Sequence, residues 1–305
     1  MRGLRGRRES LTSLSPAKLR VVMQIRSALV LPLVPLLLAT AAGVAVPRGI
    51  AAQSDSVHPA PVVTRRDLGG LALGAGLAWV AHQADASVRR EVRSAAWQDR
   101  AALGTLADIG NGWGDPTVVV LGLGMWGGGL YKHNRTVAAT GLRAVEAITV
   151  SSTITALAKG AIGRARPRVS PTDPWDVEFG RGFRSSAGDY ASMPSGHSTA
   201  AFAFAAAVTS EVARRAPARA RLVGITTFGL ATATAYARLY RDAHWLSDVT
   251  MGAAIGTVSG FAVTRWHATR PGNRVDAILL RGTLTPFVRA APRGRTIVGA
   301  TVSWR

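Results

Sequence analysis

The chain has 305 residues, enough to bury the core of one domain or two, and carries 37 Lys and Arg against 17 Asp and Glu, a net charge of +20. Its arginines stand in short clusters between apolar runs, not interleaved with aromatics on one face. This argues against a nucleic-acid partner and leaves an anionic membrane surface or phosphate chemistry. Cysteine is absent, which excludes disulfides, thiolate metal sites and a cysteine-borne lipid anchor.

Residues 1–52 combine an arginine-rich start with the uncharged apolar run Ser27–Val46 and a small-residue cleavage site at Ile50-Ala51-Ala52. This is a secretory signal or, if uncleaved, an N-terminal anchor, and both export the chain that follows. Residues 53–114 read as a polar linker and amphipathic helices. Leu68–Ala81 is Gly/Ala-rich and short for a membrane span, and Asp85–Asp108 mixes charges with Val88, Val92, Leu103 and Leu106 as a surface helix would. Asn111–Pro116 is a breaker.

Residues 115–268 form the expected core. Its apolar segments are Thr117–Tyr131, Val137–Ala158, Thr199–Val212, Leu222–Ala237 and Val249–Val263. They predict an all-α helical bundle of about five to six helices, embedded in a membrane. The basic connections at Lys132–Arg135 and Arg214–Arg221, with Arg265 onward, obey the positive-inside rule if all face the cytoplasm. The loops after Ala158 and Ala237 then lie outside. A cleaved signal followed by a spanning Leu68–Ala81 would invert this topology. Arg143 and Glu146, three apart inside one apolar segment, read as an interior pair and also suit a soluble bundle. In residues 269–305 the run from Thr296 alternates with a period of two, predicting a short C-terminal β-hairpin.

Three clusters at segment ends carry the chemistry. Lys159 and Arg166 precede Pro167; Pro194-Ser195-Gly196-His197 opens a helix; Arg238, His244 and Asp248 follow one another at spacings of six and four. Guanidinium forks and an ammonium match phosphate oxygens, and a turn at a helix N-terminus presents backbone N–H groups to an anion. If the helix after Ala237 starts near His244, then His244 and Asp248 share a face, so the carboxylate orients one ring nitrogen and frees the other to attack. His197 lacks such an acid nearby in sequence and suits the role of proton donor to a leaving oxygen. Arg164, Arg168 and Arg241 read as solvated loop charge, and Arg168–Ser192, with Trp175, Phe179, Phe183 and Tyr190, as the mouth of the site.

The spacings Lys-x6-Arg-Pro, Pro-Ser-Gly-His and Arg-x5-His-x3-Asp resemble the three-part signature of the type 2 phosphatidic acid phosphatase superfamily, which also holds class A acid phosphatases and vanadium haloperoxidases. The resemblance covers about Thr117 to Val263. It implies phosphate hydrolysis through a phosphohistidine on His244, with Asp248 orienting it and His197 as general acid. Phosphate would be bound by Lys159, Arg166, Ser195, Gly196 and Arg238, with no metal or other cofactor. The expected partners are a lipid phosphate or small phosphoester and a membrane, with no nucleic acid and no obligate protein. One departure stands out: Ala237 occupies the position before the third-motif arginine, where the family often has serine. A soluble periplasmic acid phosphatase is the alternative, ahead of a vanadate-dependent haloperoxidase or a non-catalytic membrane protein.

Overall fold

The computed structural model describes residues 59, 61–114, 116–185, 188–291 and 295–304. The signal or anchor expected in residues 1–52 lies outside them. The described residues contain eleven helices, more than the five or six expected. They are α1 (Arg65–His82), α2 (Asp85–Val92), α3 (Ala95–Gln98), α4 (Ala101–Trp113), α5 (Thr117–Tyr131) and α6 (Arg135–Ile162), followed by α7 (Arg181–Arg184), α8 (Gly196–Arg215), α9 (Pro217–Tyr240), α10 (Leu246–Ala268) and α11 (Arg274–Leu279). The five apolar segments became α5, α6, α8, α9 and α10. The additional helices are short, polar or glycine-rich, so a search for long apolar runs passes over them. The C-terminal strands β1 (Gly282–Ala291) and β2 (Arg295–Trp304) pair antiparallel, Gly282 opposite Trp304.

Helix α8 is the centre of the bundle. Its residues from Ser198 to Glu211 are all buried, as expected for a helix that is apolar or small on every side. It packs against α6, α9 and α10. The contact with α10 is backbone-close because Gly252, Gly256 and Gly260 recur every four residues on one face of α10. A Cβ at these positions would meet Ser195 O at 2.6 Å, Thr199 O at 2.2 Å and the Ala206 Cβ at 2.6 Å, respectively. The small-residue ladder therefore seats the first turn of α8 against the first turn of α10, where two of the three sequence clusters lie.

Local signals set the helix ends. Thr64 and Asp67 form a capping box on α1, and Asp67 also pairs with Arg265 of α10. Asn134 caps α6 through a bond from Val137 N of 3.1 Å. Gly163, at φ +60°, closes α6 in the left-handed conformation and turns the chain from Lys159 toward Arg166.

Arg143 and Glu146 do not pair with each other. Arg143 reaches Glu211 of α8 at 3.2 Å and Asp276 of α11 at 2.9 Å, while Glu146 bonds His267 of α10. Both side chains are turned to neighbouring helices, where buried charge finds oppositely charged partners. One helix among the described residues, α10, is long and apolar enough to cross a membrane, and 72% of that stretch is buried inside the bundle. Leu73, Trp79, Val120, Ile154, Leu157 and Leu222 face outward from α1, α5, α6 and α9.

The glycine ladder makes a clear prediction. Gly256→Ala places a methyl group against the Thr199 carbonyl and should destabilise the fold by about 1–3 kcal/mol, the usual cost of overpacking. Gly112→Ala in exposed α4, with open space around its Cβ, should instead stabilise by about 0.5–1 kcal/mol. Thermal midpoints of the two purified variants check both signs.

Candidate active site

The three clusters meet at one end of the bundle. The loop between α9 and α10 presents His244, the N-terminus of α8 presents Gly196 and His197, and the last turn of α6 with its following turn presents Lys159 and Arg166. Helix α10 starts at Leu246, so His244 precedes the helix and does not share a helical face with Asp248 in the way the i, i+4 spacing suggested. The two are brought together by a turn in which Asp248, at the third helical position, accepts the Trp245 N–H on Oδ2 at 2.9 Å.

Asp248 is fully buried and densely bonded. Its Oδ1 accepts Arg164 Nη1 at 2.6 Å, and its Oδ2 accepts Ser192 Oγ at 2.5 Å as well as the Trp245 amide. The same Oδ2 lies 3.4 Å from His244 Nδ1. That is longer than a well-formed hydrogen bond. The other ring nitrogen, Nε2, is 3.5 Å from Arg166 Nη1 and so faces the cationic side of the pocket.

Burial, reinforced by the nearby Lys159 and Arg166 charges, pushes the His244 imidazole down to about 3 against the opposing pull of Asp248. His244 is therefore neutral across the ordinary pH range. Burial and the neighbouring Arg168 also lower the Arg166 guanidinium, which remains charged.

The cations are held by oxygen acceptors. Lys159 Nζ donates to Ala191 O and Ser192 O, and its Cε passes 3.8 Å from where a Gly196 side chain would begin. Arg166 donates to Gly188 O at 2.8 Å and Ala243 O at 3.1 Å. Arg238 donates to Asn111 Oδ1 at 3.0 Å, while its buried Nε makes no hydrogen bond among the described residues. Ser195 is buried. Its N–H is taken by the Asp248 carbonyl at 3.0 Å and its Oγ caps α8 through Ser198, so Gly196 and His197 contribute the first amides of the helix. The His197 ring packs at Gly114, the end of α4, where an added Cβ would stand 2.9 Å from its Cδ2.

Sequence reasoning missed several members of this assembly. Arg164 is not solvated: it is 1% exposed and joins Asp248, Ser247, Asp85, His82 and Pro174 O. Ser192 adjoins the second motif and could have been flagged by that adjacency. Asp85, expected on a surface helix, is buried and accepts the Ser247 N–H at 2.9 Å; no local signal pointed to it. Arg168 and Arg241 are surface charges paired with Asp189 and Asp108. Trp175 stacks edge-on against His82 at 4.0 Å, and Phe179 and Phe183 are exposed on the same mouth loop.

The fold and the site together define an α-helical bundle in which Lys159, Arg166, His244 and Asp248 gather beside the N-terminus of α8. Residues 140–271 match the model of the PAP2 superfamily. The solved structure of a transmembrane PAP2 type phosphatidylglycerolphosphate phosphatase from Bacillus subtilis shares the fold at a TM-score of 0.50 and 18% identity, over 69% of this chain and 100% of that one. No curated protein matches the chain.

The depressed His244 fixes a sign. In the unfolded chain an imidazole takes up its proton near pH 6.5; in the folded protein uptake is delayed to about 3. Between these values the unfolded state binds the extra proton, so His244 lowers stability progressively as pH falls through that window. His244→Gln should lose less thermal midpoint than the wild type between pH 6.5 and pH 4. Equal losses in the two proteins would contradict a neutral buried His244.

Proposed function

We propose that the chain is a phosphatase that hydrolyses a lipid phosphate or polyprenyl diphosphate by way of a phosphohistidine on His244. The observation that carries this reading is the placement of the neutral His244 ring between the Asp248 carboxylate on one nitrogen and the Arg166 guanidinium on the other.

In the first step the phosphate takes the oxygen-acceptor places around Lys159, Arg166 and Arg238 and the N–H groups opening α8, with Ser195 and Gly196 forming the turn beneath it. His244 Nε2 attacks phosphorus, the P–O bond to the leaving group breaks, and His197 protonates the departing oxygen. Asp248 holds the Nδ1 proton and stabilises the positive ring as the N–P bond forms. In the second step water attacks phosphorus, His197 takes its proton, the N–P bond breaks, and inorganic phosphate leaves with His244 neutral again. Charge on the transferring oxygens is balanced by the chain's own cations, so the reaction proceeds without an added metal ion.

A site at the membrane surface fits the outward apolar side chains on α1, α5, α6 and α9 and the transmembrane character named for the structural relative. Exported with the pocket on the outer face, the protein would meet lipid headgroups there. A soluble periplasmic phosphatase of broad specificity is the second reading, favoured by the burial of α10 within the bundle. Extraction from membranes by salt alone supports the soluble form, and a requirement for detergent supports the integral one.

Phosphate release from a panel of lipid and soluble phosphates tests the activity. His244→Ala should fall to background on every substrate, and His197→Ala should lose about 10²–10⁴-fold, the usual worth of a general acid. A metal chelator should leave the wild type unchanged. Retained activity in His244→Ala would remove the phosphohistidine.

A further inference from the structure

Helix α2 lies outside the segment matched by the superfamily, yet it grips the loop that carries His244. Asp85 and Arg89 stand four apart along it and Arg93, its C-cap, four further on, so the three lie on one side. Asp85 Oδ1 accepts the Ser247 N–H at 2.9 Å and its Oδ2 accepts Ser247 Oγ at 2.6 Å. Arg89 makes a two-pronged pair with Asp242, both bonds 2.7 Å, and also donates to Pro171 O in the mouth loop. Arg93 donates to Tyr240 O at 3.1 Å. The three contacts bracket His244 from both sides in sequence. Asp242 has φ +55°, a left-handed conformation that side chains rarely adopt, so its backbone depends on being held.

We propose that α2 is a brace for the catalytic loop, and that Asp85, acting through Arg164, is a positioning residue for Asp248 and hence for His244. The inference rests on the reading of His244 as nucleophile. Arg164 joins the two carboxylates directly: Nη1 donates to Asp248 Oδ1 at 2.6 Å and Nη2 to Asp85 Oδ2 at 2.7 Å. All three side chains are at most 1% exposed. Water therefore screens none of these charges, and geometry is transmitted across the guanidinium plane. With Asp85 in place, Arg164 is shared between two carboxylates and Asp248 keeps enough charge to hold the His244 Nδ1 proton. Without it, the full cation draws on Asp248 alone, and the ring becomes both less basic and less firmly aimed. The phosphate-binding cations Lys159, Arg166 and Arg238 take no part in the brace.

That separation gives the test. Asp85→Asn, Arg89→Gln and the control Arg90→Gln, on the exposed side of α2, are assayed with His244→Ala on a soluble phosphomonoester, with inhibition by inorganic phosphate measured in parallel. Asp85→Asn should lower kcat at least tenfold, with KM and the inhibition constant of inorganic phosphate within about twofold of wild type, the pattern of lost orientation with binding retained. Arg89→Gln, a partly exposed site that leaves the buried node intact, should lower kcat several-fold with the same split. Arg90→Gln should match the wild type. If Asp85→Asn fails to fold, Arg89→Gln alone decides. A wild-type kcat in Arg89→Gln, or an equal loss of kcat and phosphate affinity in either brace variant, overturns the proposal. An active His244→Ala would instead overturn the nucleophile assignment.

Discussion

A guanidinium removed from water must find an acceptor for every N–H, and Arg164 does so at the point where the site is assembled. Its Nε and Nη2 share Pro174 O of the mouth loop, Nη1 reaches Ser247 Oγ and Asp248, and Nη2 also reaches Asp85 and His82 Nδ1. The α1–α2 turn, the mouth loop and the start of α10 are thereby tied to one rigid plane. Removing one partner of such a buried pair costs about 3–5 kcal/mol because the remaining charge has nowhere to go. The node therefore resists any rearrangement that would separate Asp248 from the elements around it. Its place one residue after Gly163 fixes the sequence consequence: the turn that ends α6 must deliver Arg164 inward and Arg166 toward the pocket.

The glycine ladder of α10 supplies the second constraint. Because Gly252 allows the Ser195 carbonyl to lie against its backbone, the Ser195 N–H can bond Asp248 O and the two helix N-termini lie side by side. A helix N-terminus favours negative charge: that of α10 already carries the Asp248 and Asp85 carboxylates on its Trp245 and Ser247 N–H groups, while that of α8 opens beside Lys159. The far end of the bundle is held differently, by buried ion pairs among Arg143, Glu211, Asp276, Glu146 and His267. A mainly apolar cavity of about 390 Å³, lined by residues such as Val150, Ile154, Ile255 and Trp266, lies along α10 toward that end and away from His244.

What the sequence made legible was whatever depended on short-range order. The apolar runs marked α5, α6 and α8–α10 because a long run of apolar and small residues suits a helix whatever share of it is buried, and the three clusters were visible because each is a compact string. The relation of His244 to Asp248 was legible as proximity but not as geometry. Helix periodicity places residues four apart on one face, whereas here a turn and an N-terminal side-chain cap do the work. Arg143 and Glu146 failed for a related reason: helical spacing permits a pair, and acids on α8 and α11 and a histidine on α10 offered closer partners. Arg164 and Asp85 are separated by 79 positions, and nothing in either local pattern distinguishes a buried arginine or aspartate from a solvated one. Only the packing of α2 beside the α9–α10 loop reveals them.

The electrostatics of binding and of attack are the same electrostatics. A phosphate dianion needs concentrated positive charge, and a histidine nucleophile needs to be without its proton. The Lys159 and Arg166 charges that would hold the first also press His244 toward neutrality, with burial contributing most. A neutral ring in so cationic a place has little basicity of its own, so in the proposed reaction the carboxylate behind it has to restore what the cations remove as the N–P bond forms. The close hold on Asp248 fits that demand: an acid free to turn toward Lys159 or Arg166 would offset their charge. Arg164, Ser192 and the Trp245 amide fix Asp248 in place, leaving His244 Nε2, not Asp248, directed at the cations.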